Sequence, residues 1–522
     1  MKKTKIHLLA TSDIHGYVYP TLYREKKEEP IGLAKVATII QQRRRDGQVI
    51  LIDNGDLIQG SPLTYYHAKF QSEVDNPIIQ VANYLHYDAA IFGNHEFNFG
   101  LNTLSNVVRQ SRFPWLGANI VSKKSGLPYF GKPYIIKEIE GIRIAILGVT
   151  THFVPLWEEA ANIEGLQFED AFQATEYWCN QIIQEEKVDV LIVAYHGGFE
   201  RDLQTAEYTE QNTGENQGFA ICESISNIDV LITGHQHRLL DGELNGVAIV
   251  QPGAQGQAIG EVIFSITHDL EGKVVNIEHE ANLITIDECV QADPTTLEAI
   301  AAIQEETEQW LDQRIGKIKG NMQITNTFQA RMEDHPYVEF INKLQMKVSG
   351  AVISSTALFN NDAQGFSHSV TMRDIVSNYI YPNTLKVLQL TGKDIKDALE
   401  QCATYFSEKN GEIIVNPAFA EPKAQHYNYD MWEGIEYELK ISNPIGERVT
   451  KLVYEGLPIK LEGQYPVVMN SYRASGAGNF DMFKGKPILK EIQTDMTEII
   501  ANELLTMKEI TATCNHNWRV LL

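Results

Sequence analysis

The chain has 522 residues, 43% of them hydrophobic and 21% charged, with a formal net charge of −24. That length exceeds one ordinary hydrophobic core, so two domains are expected. The acidic balance excludes a nucleic-acid duplex as partner, since a duplex groove needs clustered Lys and Arg, but it leaves room for a small anionic substrate if bound cations reverse the local field.

The apolar run 6–10 is too short for the core of a signal peptide, and Ser12-Asp13 interrupts it. No stretch of about 20 apolar residues offers a transmembrane helix, so no membrane partner is expected. As written, the chain reads as cytoplasmic; a chain trimmed of a leader would read the same and be extracytoplasmic. The five cysteines, Cys179, Cys222, Cys289, Cys402 and Cys514, are scattered without a CxxC pair. Reduced thiols are expected rather than a disulfide framework.

Over the first 290 or so residues, short apolar runs alternate with helical patterns, the signature of an α/β layer. Residues 5–10, 48–52, 89–92, 188–194 and 228–233 are short, largely apolar and often β-branched, and each predicts a buried central strand. Asp293-Pro294 opens a helix, with Asp as N-cap and Pro at the first helical position, running to about residue 314. Residues 316–327, polar with two glycines, read as a linker and part of a hinge. Tyr337, Ile341, Leu344 and Val348 then mark an amphipathic helix that opens a second domain. Residues 385–390 predict a strand, and Thr391 with Asp394 predicts a capping box for the helix through Cys402. The expected domains are 1–292, a linker helix and hinge over 293–327, and 328–522.

The chemistry lies just past the five strands. They are followed by Asp13-Ile14-His15-Gly16, Asp53-Asn54-Gly55-Asp56, Gly93-Asn94-His95-Glu96, His196-Gly197-Gly198 and Gly234-His235-Gln236-His237. In open α/β sheets the carboxyl ends of the strands are where ligands bind. Asp, Asn and His without a thiolate select Mn, Fe, Zn, Co or Ni. Two divalent cations about 3.5–4 Å apart need a bridging anion and further donors on each side. Asp56 can bridge, Asp13, His15 and His237 can complete one site, and Asn94, His196 and His235 the other. His95 is not needed in either cage and is free to donate to a leaving oxygen.

These five motifs resemble the calcineurin-like metallophosphoesterase superfamily. The strings DNGDLIQGSP at 53–62 and GNHEFNFG at 93–100 are similar to those of the bacterial 5′-nucleotidase family. The resemblance implies a four-layer α/β/β/α metallophosphoesterase domain and a second, α+β C-terminal substrate-binding domain, with the active site between domains that rotate from open to closed. Tyr381-Pro382-Asn383-Thr384-Leu385, Tyr427-Asn428-Tyr429-Asp430 and Asn470-Ser471-Tyr472-Arg473 with Gly476 and Gly478 resemble the 2′,3′-cyclic-nucleotide 2′-phosphodiesterase/3′-nucleotidase branch. The resemblance implies that Tyr427 and Tyr472 sandwich a nucleobase. Two positions depart from the 5′-nucleotidase pattern. Asn98 stands where many 5′-nucleotidases carry an acidic partner of the histidine, and 354–361 lacks a phosphate-gripping arginine, for which Arg373 and Arg473 are candidates.

Asn94 and His95 are therefore the expected catalytic residues, and Asn94, Tyr427, Tyr472 and Arg473 the expected substrate-binding ones. The expected activity is metal-dependent hydrolysis of 2′,3′-cyclic and 3′-nucleotides. Alternatives are a broad-specificity 5′-nucleotidase or nucleotide-sugar hydrolase, and a non-catalytic nucleotide-binding scaffold. Glu96 is expected to support its loop, Asp53 to fix the turn before Asp56, and Asn119 and His152 to be structural. Arg43-Arg44-Arg45 reads as a dipole partner at a helix end.

Overall fold

The computed structural model describes residues 2–24, 27–209, 212–271, 274–381, 383–421, 423–492 and 494–522. The chain divides into two compact units, Met1–Thr307 and Glu308–Leu522.

The first unit is built on two sheets of six strands each among the described residues. In one, the order is Val274–Thr285, Ala258–His268, Lys2–Thr11, Gln48–Asp53, Ala89–Ile91, Trp115–Leu116. Its last four strands are parallel, and Lys2–Thr11 meets Ala258–His268 antiparallel. In the other, the order is Leu239–Leu244, Val247–Pro252, Val230–Ile232, Val190–His196, Ile142–Thr150, Tyr134–Ile139, with a parallel centre and antiparallel edges. All five predicted strands are present, and each lies inside its sheet with a partner on both sides.

The two-residue period of a strand explains how four layers arise. On Ile142–Thr150, Ile144 and Ile146 join Ile6, Leu8, Ile50 and Ile52 in the core between the sheets. The alternate residues Ala145, Leu147 and Val149 face the other way and pack with Cys179, Ile182, Phe219 and Ile221 from helices Ala171–Glu185 and Gly218–Ser224. Helix Leu33–Asp46 lies against Gln48–Asp53 on the first sheet. The unit is thus α/β/β/α.

The second unit is α+β. Its main sheet runs Asp430–Glu433, Ile353–Ala357, Gln464–Asn470, Leu385–Thr391, Ile488–Ile492. Helix Pro336–Ser349 packs on it. Thr391 and Asp394 form the reciprocal capping box of helix Gly392–Ala403.

Two readings are corrected. The helix after Asp293 is two pieces, Pro294–Ala299 and Ala301–Leu311, broken at Ile300. The segment 316–327 is not a linker: strand Arg314–Lys319 enters a sheet between Ser369–Thr371 and Glu509–Thr511. Ile315 and Ile318 bury there, and Gly316 lies where a Cβ would press on the Leu504 side chain. Met322–Gln323 is a further short strand. No disulfide links the five cysteines. Among the described residues, no helix is long and apolar enough to cross a membrane.

Candidate active site

The strand ends deliver seven side chains to one place, and the backbone is bent to do it. Asp13 (φ 53°), His15 (51°), Asp56 (55°), His235 (65°) and His237 (57°) all sit in the left-handed region. Residues other than glycine enter that region rarely and at an energetic cost, and they persist there only when the surroundings over-determine them. The carboxylate of Asp56 runs so close beneath Gly93 that any Cβ there would collide with it.

Two groups of donors result. The ligand atoms of Asp13, His15 and His237 lie within 4.8 Å of one another, and so do those of Asp56, His196 and His235. Asn94 joins the second group, its Oδ1 lying 3.2 Å from His196 Nε2 and 2.9 Å from His235 Nδ1. His237 Nε2 is 3.3 Å from Asp13 Oδ1, and His196 Nε2 is 3.3 Å from Asp56 Oδ2. Asp13, Asp56 and His196 are fully buried or nearly so.

The hydrogen-bond polarity fits a pair of cations. His15 Nδ1 donates to Gln59 O at 2.9 Å, and His196 Nδ1 donates to Asn54 O at 2.6 Å. A ring that gives its Nδ1 proton to a carbonyl presents its Nε2 lone pair inward. Those inward atoms meet other acceptors: His15 Nε2 faces His237 Nε2 at 3.1 Å, and His196 Nε2 faces the Asp56 and Asn94 oxygens. Nitrogen and oxygen donor atoms converging this way suit a positive charge between them. Burial drives His15 down to about 3, so it is neutral and ready to ligate at physiological pH. At His196 burial opposes the charge, yet Asp56, followed by Asp13 and Glu96, outweighs it and holds the ring up to about 10, so a proton on Nε2 faces Asp56 where a bound cation would take its place. Burial likewise opposes ionisation of Asp13 and Asp56, but the histidines around them hold both carboxyls below the usual range.

Around these donors stand residues that hold them. Glu96 Oε2 accepts from Asp56 N and Gly93 N at 2.8 and 2.6 Å, and its Oε1 from Leu57 N at 2.7 Å, tying two loops together. Asp53 accepts from Gly55 N and from Thr11 Oγ1. Asn119 spans the Thr150 and Glu169 backbone, and His152 packs beside Phe153 and Asp170. Arg43 pairs with Glu261 at 2.6 Å, and Arg44 donates to Leu85 O.

His95 lies edge-on to His15 with ring centroids 5.3 Å apart, and its backbone N donates to Asp56 Oδ1 at 2.7 Å. Its Nδ1 meets Asn98 Oδ1 at 2.7 Å.

Three residues near the donors had no local motif. Glu215 Oε1 receives His235 Nε2 at 2.8 Å, and Trp157 stacks on the His235 ring at 5.2 Å and 19°. Glu158 accepts from Asn98 Nδ2 at 2.6 Å.

In the second unit, Tyr427 and Tyr472 are brought together with ring centroids 6.2 Å apart, but at 76° to each other. Two rings sandwiching a base would lie parallel and about 7 Å apart, two van der Waals spacings. The observed pair is edge-to-face, so one ring must turn to admit a base. Tyr381 stands edge-on to Tyr427 at 6.3 Å; its neighbour Pro382 lies outside the described residues.

The reading of Arg473 as a phosphate grip is corrected. Its side chain is buried, with Nε on Asp430 Oδ2 at 2.9 Å, Nη2 on Tyr427 O at 2.9 Å and on Asp430 Oδ1 at 3.2 Å, and Nη1 on Ala477 O. Its face packs on Phe480, 3.9 Å from the ring centroid. The guanidinium frames the tyrosine loop instead of facing solvent. Arg373 is an ion-pair residue, bound to Glu308 and Asp312 at 2.7 Å.

An α/β/β/α fold with two groups of carboxylate, amide and imidazole donors at its strand ends defines a metallophosphoesterase. The comparisons agree. Residues 6–239 match the calcineurin-like phosphoesterase family, and residues 314–485 match the 5′-nucleotidase C-terminal domain. A Staphylococcus aureus structure described as a 5′-nucleotidase, in complex with alpha-ketoglutarate, is 34% identical, covers 99% of this chain and 100% of its own, and superposes with a TM-score of 0.91. A 2′,3′-cyclic-nucleotide 2′-phosphodiesterase/3′-nucleotidase from Salmonella typhimurium is 28% identical over 99% of this chain and 88% of its own length. The trifunctional nucleotide phosphoesterase protein YfkN of Bacillus subtilis is 27% identical over 99% of this chain, which spans only 39% of that longer protein. The chain belongs to the 5′-nucleotidase family of calcineurin-like metallophosphoesterases and is a phosphoester hydrolase.

Proposed function

We propose that the chain opens 2′,3′-cyclic nucleotides and then hydrolyses the resulting 3′-nucleotides. The observation that carries hydrolysis is the convergence of the Nε2 atoms of His15, His196 and His237 with the Asp56 and Asn94 oxygens. The near full-length likeness to relatives named for the cyclic and 3′-nucleotide activities supports the substrate.

In this reading Asp13, His15 and His237 would hold one divalent cation, and Asn94, His196 and His235 the other. Asp56, 3.3 Å from His196 Nε2, would be the carboxylate shared by the two. When bound, such a pair supplies Lewis acidity toward phosphoryl oxygens and makes water nucleophilic at neutral pH. The identity of the metals, from Mn, Zn, Fe, Co or Ni, is left to measurement. His95 gives a proton to the departing sugar oxygen. Asn94 fixes the phosphoryl group beside it, and Tyr427 and Tyr472 stack on the base.

A substrate panel on one preparation with Mn²⁺ tests this. It would hold 2′,3′-cAMP, 3′-AMP, 5′-AMP and an aryl phosphodiester. The first two should be turned over with higher kcat/KM than 5′-AMP. Faster cleavage of 5′-AMP would establish the second reading, a 5′-nucleotidase, which the Staphylococcus aureus likeness favours.

A further inference from the structure

We infer that Glu158 is a positioning residue for the leaving-group acid, acting on His95 through the side-chain amide of Asn98. The inference rests on the proposal that His95 protonates the leaving oxygen, and it adds the group that decides how the ring is held.

The chain of contacts is continuous. His95 Nδ1 meets Asn98 Oδ1 at 2.7 Å, and Asn98 Nδ2 meets Glu158 Oε2 at 2.6 Å. The other carboxylate oxygen of Glu158 accepts from Glu159 N at 2.8 Å and from Asn162 Nδ2 at 2.9 Å. Asn162 Nδ2 also reaches Asn98 O at 3.3 Å, so it ties the carboxylate to the Asn98 backbone. Burial raises the Glu158 carboxyl, while these donors and the His95 ring pull it back.

The direction of the amide is what matters. An amide presents an acceptor on one side and a donor on the other, and which way it lies is set by its partners. A carboxylate has only acceptors to offer, so it draws the Asn98 NH2 toward itself. That leaves Oδ1 facing His95, and Oδ1 can only accept. His95 Nδ1 must then carry a proton, so the ring that acts as acid is the imidazolium: its Nε2 proton passes to the leaving oxygen as the P–O electron pair departs with that oxygen, and the neutral ring left behind keeps its Nδ1 proton. Among the described residues, no other acceptor holds the Asn98 NH2. Turned over, the amide would set an NH2 against the Nδ1–H of the imidazolium, a donor against a donor, and in the neutral ring it would favour the tautomer protonated at Nε2 instead. A wrong tautomer is costly even where geometry is intact. Glu158 thus supplies, one amide removed, the orientation that an acidic residue at position 98 would give directly.

The test separates a fixed tautomer from general damage. Glu158→Ala and Asn98→Asp are compared with the exchange Asn98→Asp/Glu158→Gln. In the exchange, the new carboxylate at position 98 accepts from His95 and from the new amide at position 158. Asn98→Asp alone sets two carboxylates against each other. Each single variant should lower kcat on a nucleoside 3′-monophosphate by about 10–100-fold with KM within about twofold, and the exchange should recover it to within about threefold of wild type. Bis(p-nitrophenyl) phosphate, whose leaving group needs no proton, should lose far less in either single variant. Nitrogen NMR of histidine-labelled, zinc-loaded enzyme should show the His95 Nδ1 proton in wild type and in the exchange, and its loss in Glu158→Ala. Equal losses on both esters, no recovery in the exchange, or an Nδ1 proton that persists in Glu158→Ala would overturn the inference. A wild-type enzyme that cleaves the aryl diester but no nucleotide would end the nucleotide reading alone, and the tautomer signal would still decide this one.

Discussion

Replacing Arg473 with Leu separates a framing guanidinium from a phosphate grip. Arg473 and Asp430 are both buried and face each other through two contacts, 2.9 and 3.2 Å. Removing one partner of a buried pair leaves the other charge uncompensated, at a loss of about 3–5 kcal/mol. The carbonyls of Tyr427 and Ala477 also lose their donor, each worth about 1 kcal/mol. Ser355 Oγ, 3.2 Å from Asp430 Oδ2, returns a little of this. The expected destabilisation is therefore about 4–6 kcal/mol in the second unit. Removing the orphaned charge as well, in Asp430→Asn/Arg473→Leu, should recover about 2 kcal/mol or more of it.

The assay is denaturant unfolding followed by fluorescence, with KM for a nucleotide read on protein still folded. The tyrosine loop loses its anchor at Tyr427 O, so KM should rise together with the loss of stability. A variant that keeps wild-type stability to within about 1 kcal/mol, shows no coupling to Asp430, and loses affinity for inorganic phosphate would refute the reasoning and return Arg473 to the substrate.

Asp56→Asn should lower bound metal from two per chain to one or fewer, with turnover down by about 1000-fold or more, measured by elemental analysis and a Mn²⁺ assay. Tyr427→Ala should raise KM for nucleotides by about 5- to 100-fold with little change in kcat, and leave an aryl diester unaffected, because stacking contributes roughly 1–3 kcal/mol of ground-state binding. His426, hydrogen-bonded to Tyr405 and Asn361, is driven down to about 4 by burial and then by the Arg331 charge. Its neutral form is the folded one, so the stability it supports is present above its unfolded value of 6.5 and is lost as pH falls from there toward 4. Wild type should lose about 1 kcal/mol more than His426→Gln between pH 7 and pH 5, after allowing for partial solvation of the ring.

The candidate donors were legible because strand and ligand are adjacent in the chain. An apolar run ends, and a residue or two later a side chain suited to a metal appears, as in Thr11 then Asp13, or Ile232 then His235. The layer order followed from the same strands, since Ile144 and Ile146 alternate with Ala145 and Leu147. Strand Arg314–Lys319 was hidden for a local reason. Its four charged or glycine positions mask two buried isoleucines, and its partners Ser369–Thr371 and Glu509–Thr511 come from about 50 and 190 residues away. Arg473 was misread because the sequence gives no sign of burial, and an arginine near a binding motif looks the same whether it faces substrate or Asp430.

Glu158 and Glu215 were invisible for a deeper reason. Each acts on a residue from another loop, Asn98 or His235, and neither carries spacing that a metal or a proton would impose. What the sequence does contain is the half of the pattern that needs them. Asn98 reads as a weaker partner for His95 only while its amide is considered alone. An amide that accepts from a ring on one side must place two N–H donors on the other, and inside a protein those donors require an acceptor. The asparagine therefore implied a second residue of acceptor type nearby. Its chemistry could be inferred from position 98, and its identity could come only from the fold that carries Glu158 to that amide.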